Sequence, residues 1–102
     1  DWNKIQATGR TEDVFKIPDL DKKWRAFGWE VVTVDGHDVD KLIAAIDHAK
    51  TVKGKPTLVI LDTIKGKGIS FAEDVPTYHN GIFDAAKFDA AKKELESLLE
   101  GA

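Results

Sequence analysis

The stretch WEVVTVDGHDVDKLIAAIDHAKTVKGKPTLVILDT, residues 29–63, decides the fold class. Two runs at its ends, residues 29–34 and 57–63, are mostly apolar and rich in β-branched residues. This pattern is typical of strands that are covered on both faces, as in a parallel sheet. Between them, apolar side chains recur at helical spacing over residues 39–53. Strand, helix and strand in this order predict a βαβ unit with a right-handed crossover, and hence an α/β fold.

The flanking segments have other patterns. Residues 1–18 are expected to be extended or loop-like, and Asp19 is the predicted N-cap of a helix that ends before Gly28. Residues 64–83 are rich in glycine and show little periodicity, which predicts a functional loop. A C-terminal helix is expected from Asp84 to the end of the chain. Because two strands cannot form a stable doubly covered sheet, we expect this chain to need neighbours.

Composition excludes several classes of function. The 102 residues amount to at most one domain, with a formal net charge of -3 and no basic stripe, so nucleic acid is not an expected partner. The longest apolar runs are far too short to span a membrane. The sequence has no cysteine, which excludes disulfides and favours the cytoplasm, and no methionine, which suggests a processed or truncated polypeptide.

Four residues could carry chemistry on local grounds. The amide oxygen of Asn3 and the backbone carbonyl of Ile5 are hard oxygen donors suited to Mg²⁺, although loop asparagines more often make turns. Lys65 directly follows the second strand, where a basic loop could meet phosphate or simply be solvated. His79 could exchange protons near neutral pH or be a surface residue without a role. His37 is expected to be structural.

Several short motifs occur together in one order. They are DWNKIQATG at residues 1–9, KWRAFGW at 23–29, VDGHD at 34–38, KPT at 55–57, TIKGKG at 63–68, and the loop residue His79. Taken together they resemble the thiamine-diphosphate-binding half of transketolases. The family commonly has W-H-G at the loop histidine, whereas this chain reads Tyr78-His79-Asn80-Gly81.

The resemblance implies a role for each matching residue. Asn3 and the carbonyl of Ile5 would be metal ligands for the Mg²⁺ that bridges the diphosphate. Lys65 would lie against the cofactor and offset its charge, and His79 would contact the diphosphate region and serve as a catalytic proton-transfer group. It also implies that residues 1–102 are the downstream part of the diphosphate-binding domain, a three-layer parallel-sheet fold.

The implied function is that of an enzyme which is complete only in a larger, cytoplasmic oligomer. It would transfer a two-carbon ketol unit between sugar phosphates of the pentose phosphate pathway, using thiamine diphosphate and Mg²⁺. An upstream polypeptide would supply the GDG metal-binding segment, and a separate C-terminal subunit of a split transketolase would supply the pyrimidine-binding domain. The alternatives are a 1-deoxy-D-xylulose-5-phosphate synthase and a non-catalytic assembly module of the same fold.

Overall fold

The computed structural model describes residues 1–101, and these form an α/β chain, as predicted. The strands are β1 (Ile5–Gln6), β2 (Gly9–Arg10), β3 (Glu30–Asp35) and β4 (Thr57–Asp62). The helices are α1 (Thr11–Val14), α2 (Leu20–Ala26), α3 (Val39–Thr51) and α4 (Ala85–Glu100), with one turn of 3-10 helix at Pro76–His79. Residues 1–4 and 15–63 form one compact unit, and residues 5–14 and 64–101 form a second.

The centre of the first unit is the predicted βαβ arrangement. Strands β3 and β4 pair in parallel along their whole length, from Glu30 opposite Thr57 to Asp35 opposite Asp62. The connecting helix α3 begins after Asp38, whose side chain accepts a hydrogen bond from the backbone amide of Lys41 at 3.1 Å. The side chain of Asp38 therefore caps the helix. The side chain and backbone amide of Lys41 also hold the pKa of the Asp38 carboxyl below its usual value.

Only one stripe of α3 is covered. Ala45 is buried, with Leu42 and Ala49 half-buried one turn away on either side. The predicted single apolar face therefore splits in two, because its other members stay in solvent; these are Val39, Ile43 and Ile46, at 66%, 54% and 54% exposure. Two strands offer too narrow a surface to cover a wide apolar face. This agrees with the expectation that the chain needs neighbours.

Helix α2 begins differently from the prediction. Asp19 makes no side-chain capping hydrogen bond, and its backbone is left-handed, with φ 52° and ψ 45°. Its carboxylate instead lies 3.0 Å from the ammonium of Lys22. The other end is as predicted: Gly28 has φ +85° and its amide donates to the carbonyl of Arg25 at 2.9 Å. Asp19 thus occupies the predicted N-cap position, but the predicted capping bond is absent because a left-handed residue points its side chain away from the first amides of the helix.

The amino ends of β3 and β4 carry a small charged cluster. Lys55 Nζ lies 2.6 Å from one carboxylate oxygen of Glu30, and His48 Nε2 lies 3.7 Å from the other. The hydrogen bond and the charge of Lys55 lower the pKa of the Glu30 carboxyl. The cluster ties the end of α3 and the turn before β4 to the start of β3.

The second unit contains structure that the periodicity of residues 1–18 did not reveal. Strands β1 and β2 form a minimal antiparallel hairpin, with Ile5 opposite Arg10, and α1 follows it directly. Near the other end of the chain, α4 begins after Asp84, whose carboxylate accepts from the amide of Lys87 at 2.8 Å. Within the described residues, no helix is both long and apolar enough to cross a bilayer.

Candidate cofactor and metal site

The start of the chain is attached to the carboxyl end of β4. Trp2 forms a parallel bridge with Asp62, and its amide donates to the carbonyl of Leu61 at 2.8 Å. The amide of Thr63 reaches back to the carbonyl of Trp2 at 3.5 Å. Residue 2 thus extends the parallel sheet on the outer side of β4. Ligands of open α/β sheets bind beyond the carboxyl ends of strands, so this edge is where a site is expected.

Asn3 is held next to that edge through its neighbour. The hydroxyl of Thr63 donates to one carboxylate oxygen of Asp1, and the amide nitrogen of Asn3 donates to the other at 3.2 Å. The carboxylate of Asp1 therefore connects Asn3 to the end of β4. Because the side-chain nitrogen of Asn3 is directed at Asp1, its side-chain oxygen is directed away from Asp1. Asn3 itself is half-buried.

Lys4 has an unusual backbone conformation, with φ 62°. A left-handed conformation costs a residue with a Cβ atom roughly 1–2 kcal/mol. The ammonium of Lys4 forms an ion pair with the carboxylate of Asp62 and lies 5.0 Å from the centroid of the Trp2 ring. Such strain persists only where surrounding contacts hold it, and it is often found at ligand-binding sites.

Gly36 closes the neighbouring strand end. A Cβ atom on Gly36 would lie 2.4 Å from Cγ2 of Thr63 and 2.9 Å from Cβ of Leu61. Only glycine allows the turn after β3 to approach β4 this closely. In the same turn, the amide of His37 donates to the side chain of Asp35 at 3.0 Å. This bond fixes the backbone of His37 within the turn.

Lys65 begins a loop that folds back on itself in the second unit. Its carbonyl accepts a hydrogen bond from the amide of Asp74 at 2.9 Å, and Ala72, inside the loop, is only 2% exposed. Gly66 has φ +75°, and a Cβ atom there would lie 2.5 Å from the carbonyl oxygen of Ala72. The carboxylate of Glu73 accepts from the amide of Gly68 at 2.9 Å. The loop predicted from its glycines is therefore a series of tight turns.

His79 ends the 3-10 turn and is exposed. The turn contacts both strands of the β1–β2 hairpin, and Tyr78 packs against a cluster of rings with centroid distances of 5.3–6.0 Å; the partners are Phe71 and Phe83. A Cβ atom on Gly81 would lie 2.7 Å from the Tyr78 ring. The Y-H-N-G sequence is thus accommodated by folding Gly81 onto that ring.

The structure places three of the four predicted residues in the second unit. Ile5, in the hairpin, is 7% exposed, and the hairpin is fastened to the loop of Lys65 by an ion pair of 2.6 Å between Arg10 and Asp74. Asn3 belongs to the first unit. Among residues 1–101, no cluster of three or more His, Cys, Asp or Glu side chains could hold a metal ion. The two predicted ligands, Asn3 and Ile5, have neutral amide and carbonyl oxygens, a type that suits Mg²⁺ when phosphate binds it as well.

Comparison with known proteins identifies the family. Residues 1–97 match the family described as "Transketolase, thiamine diphosphate binding domain". The chain belongs to this family. The predicted resemblance to transketolases is therefore confirmed.

Curated members of the transketolase family include two informative relatives. The chain is 44% identical, over all of its 102 residues, to the 6-deoxy-6-sulfo-D-fructose transketolase subunit SqwG of Clostridium sp. (strain MSTE9). It is 32% identical, over 98% of its length, to one subunit of the apulose-4-phosphate transketolase of Phocaeicola vulgatus. It spans 36% of the length of each of these two relatives.

Solved transketolase structures have the same fold. The transketolase of Campylobacter jejuni superposes with a TM-score of 0.84 at 27% identity, covering 94% of this chain and 15% of that one. A transketolase of Pichia stipitis superposes with a TM-score of 0.83 at 35% identity, covering 92% of this chain and 14% of that one. The α/β architecture of this chain is thus that of a segment of transketolases.

The sequence prediction missed the polar contacts next to Asn3. Asp1 accepts hydrogen bonds from Asn3 and Thr63, and Lys4 pairs with Asp62. The sequence contains only a weak signal for these contacts. Asp62 and Thr63 are polar residues at the end of an apolar strand, and the charged residue Lys4 lies between two possible oxygen donors to a metal. Periodicity cannot show that residues about 60 positions apart in the chain are in contact.

Proposed function

We propose that this chain is the downstream part, residues 1–102, of the thiamine-diphosphate-binding domain of a split transketolase. Together with its other parts, the protein would transfer a two-carbon ketol unit between sugar phosphates. The observation that carries this proposal is the family match over residues 1–97. Two relatives that are named as transketolase subunits support the split arrangement. In that arrangement an upstream segment supplies the aspartate ligand, and a separate subunit supplies the pyrimidine-binding domain.

The metal would be held in part by the amide oxygen of Asn3 and the carbonyl oxygen of Ile5. Because consecutive Cα atoms are about 3.8 Å apart, two residues separated by one other are close enough to bind the same ion. Both groups are hard, neutral oxygens of the kind that Mg²⁺ accepts alongside diphosphate oxygens. The support from geometry is that Asn3 is already fixed by Asp1 at 3.2 Å.

Lys65 and His79 would act at the diphosphate end. Thiamine diphosphate, when bound, supplies the reactive carbon and accepts the electrons of the broken carbon–carbon bond. The ammonium of Lys65 would offset the charge of the diphosphate, while the imidazole of His79 would move a proton to or from a substrate hydroxyl. The exposed position of His79, on a turn that the Tyr78 ring cluster holds, supports this role.

A calorimetric titration of the complete assembled apoprotein with Mg²⁺ at saturating thiamine diphosphate tests the metal assignment. Asn3→Ala should weaken Mg²⁺ binding at least about tenfold, since even outer partners of metal ligands are worth that much. Wild-type affinity in this variant would remove Asn3 from the site.

Activity assays test the reaction class. His79→Ala should lower the rate of ketol transfer about 10²- to 10⁴-fold, the range for loss of an acid–base group. The matched control His48→Ala, which alters a histidine paired with Glu30 on α3, should stay near wild type. Turnover of pyruvate plus glyceraldehyde phosphate without ketol transfer would instead identify a deoxyxylulose-phosphate synthase.

A non-catalytic assembly module predicts a different result. Intact mass spectrometry of everything that co-purifies should reveal a polypeptide carrying the GDG segment and a second subunit. Their absence, together with no uptake of thiamine diphosphate, would favour the assembly role. A cytoplasmic location in pentose phosphate metabolism is the setting we propose, and the absence of cysteine in the 102 residues is compatible with a reducing compartment.

A further inference from the structure

We infer that Lys4 is a positioning residue for the magnesium ion and that Asp62 is its anchor. Through this pair, the carboxyl end of β4 would control how Asn3 is presented to the metal. The inference rests on the proposed function, because it assumes that Asn3 and Ile5 bind the metal. It assigns a role to Lys4 and Asp62, neither of which touches the ion.

The first observation is the backbone of Lys4. Its φ of 62° places a left-handed residue directly between the two proposed ligands, Asn3 and Ile5. On one side, Trp2 is held in the bridge to β4, and on the other, Ile5 begins β1. The direction of the chain therefore changes at Lys4, directly after the proposed ligand Asn3. Glycine or asparagine would adopt this conformation more easily than lysine.

The second observation is what holds that conformation. The ammonium of Lys4 pairs with the carboxylate of Asp62 and lies 5.0 Å from the centroid of the Trp2 ring. The side chains of Lys4 and Asp62 are 36% and 47% exposed. An ion pair this accessible to water contributes little to overall stability. The effect of the ion pair should therefore be on the backbone of Lys4, which directly follows the proposed ligand Asn3.

The charge of Lys4 makes the inference testable. An ammonium close to a bound Mg²⁺ repels it, so a purely electrostatic view predicts that removing the charge of Lys4 tightens metal binding. The positioning role predicts the opposite, since removing the ion pair frees the backbone next to Asn3. The carboxylate of Asp62 reduces the repulsion while it holds the lysine.

The experiment is a titration of the complete assembled apoprotein with Mg²⁺ at saturating thiamine diphosphate, followed by calorimetry. The variants are Lys4→Gln, Asp62→Asn and the two combined, with Lys4→Arg as the conservative replacement. The matched control is Asp47→Asn, which breaks an exposed ion pair of 2.7 Å to Lys50 on α3, in the same unit. Thermal unfolding without Mg²⁺ is recorded for each variant.

Lys4→Gln and Asp62→Asn should each raise the Kd for Mg²⁺ about two- to fivefold, which is the range that an ion pair this exposed can contribute. The double variant should lose no more than either single one, because all three break the same contact. Lys4→Arg should recover most of the affinity, Asp47→Asn should not change it, and melting temperatures without Mg²⁺ should stay close to wild type. At saturating Mg²⁺, kcat of the single variants should return to the wild-type value.

Three results would overturn the positioning role. They are unchanged or tighter Mg²⁺ binding by Lys4→Gln, unchanged binding by Asp62→Asn, and losses that multiply in the double variant. If Asp62→Asn does not fold, Lys4→Gln and Lys4→Arg decide the question, because they change a half-exposed side chain. A wild-type protein that takes up no Mg²⁺ with thiamine diphosphate would instead refute the proposed function.

Discussion

Replacing Gly66 by alanine should loosen the loop of Lys65 far more than the same change does at Gly54. The two glycines have nearly equal backbone angles, φ +75° and φ +77°. Each alanine therefore carries a similar cost for its left-handed conformation, roughly 1–2 kcal/mol. The difference lies in the space available. The new Cβ atom at position 54 meets nothing within 4 Å, whereas at position 66 it would lie 2.5 Å from the carbonyl oxygen of Ala72.

The size of the steric term follows from that distance. Ordinary contacts begin near 3.4 Å, so the backbone of Ala72 must move by almost 1 Å. Ala72 is only 2% exposed, and its carbonyl also accepts a hydrogen bond from the amide of Val75 at 3.4 Å, so the loop has little freedom to yield. Overpacking of this kind costs about 1–3 kcal/mol. The total for Gly66→Ala is then about 2–5 kcal/mol, against about 1–2 kcal/mol for Gly54→Ala.

Hydrogen–deuterium exchange of the complete protein measures this difference. Each variant is compared with wild type at its own turn, residues 64–75 for Gly66→Ala and 52–57 for Gly54→Ala. An added 1–3 kcal/mol corresponds to about 5- to 150-fold faster exchange, since 1.4 kcal/mol is a factor of ten. Equal loss of protection in the two variants would refute the argument, because it would mean that the contact with Ala72 does not constrain the loop.

Two further predictions concern the βαβ unit. Asp38→Ala should lower the free energy of unfolding by about 1 kcal/mol through loss of the α3 cap, while Asp38→Asn, which keeps an acceptor, should lose much less; urea denaturation distinguishes them, and equal losses would show that the capping bond is unimportant. Lys55 lowers the folded-state pKa of the Glu30 carboxyl. The ion pair between them should therefore contribute fully to stability above the unfolded-state pKa of about 4.3, and the contribution should be lost as the pH falls through the lower folded-state pKa. Wild type should therefore exceed Glu30→Gln in stability at pH 7 and approach it in acid, and a difference independent of pH would contradict this.

The sequence was most informative where the spacing of apolar residues reflects their burial. Strands β3 and β4 and helix α3 were predicted to within two residues, because continuous apolar runs and helical spacing both reflect burial. The site residues themselves came from the family resemblance. Local chemistry alone did not distinguish Asn3 from a turn asparagine, or His79 from a surface histidine.

Features fixed by contacts distant in the sequence could not be predicted. Asp19 is a good capping residue by type, yet its left-handed backbone prevents the capping bond. The β1–β2 hairpin has only two residues in each strand, too few for alternation to be visible. The order within residues 64–79 depends on contacts inside the loop, such as the amide of Asp74 with the carbonyl of Lys65, and on contacts with the hairpin, such as Arg10 with Asp74. The glycines indicated where the chain turns, but not which groups each turn contacts.

The bridge between Trp2 and Asp62 also has a kinetic consequence. Every pair between β3 and β4 joins residues 27 positions apart, so one loop closure allows all six to form in succession. The bridge closes 60 residues and gains a single paired position. Closing the longer loop costs only about 0.7 kcal/mol more than closing the β3–β4 loop, but few contacts offset this cost. We therefore expect the segment of Asn3 to join the sheet last during folding and to detach first. Pulsed hydrogen exchange should protect the amide of Trp2 after that of Val32, so the proposed metal ligand Asn3 would be the final part of the first unit to reach its place.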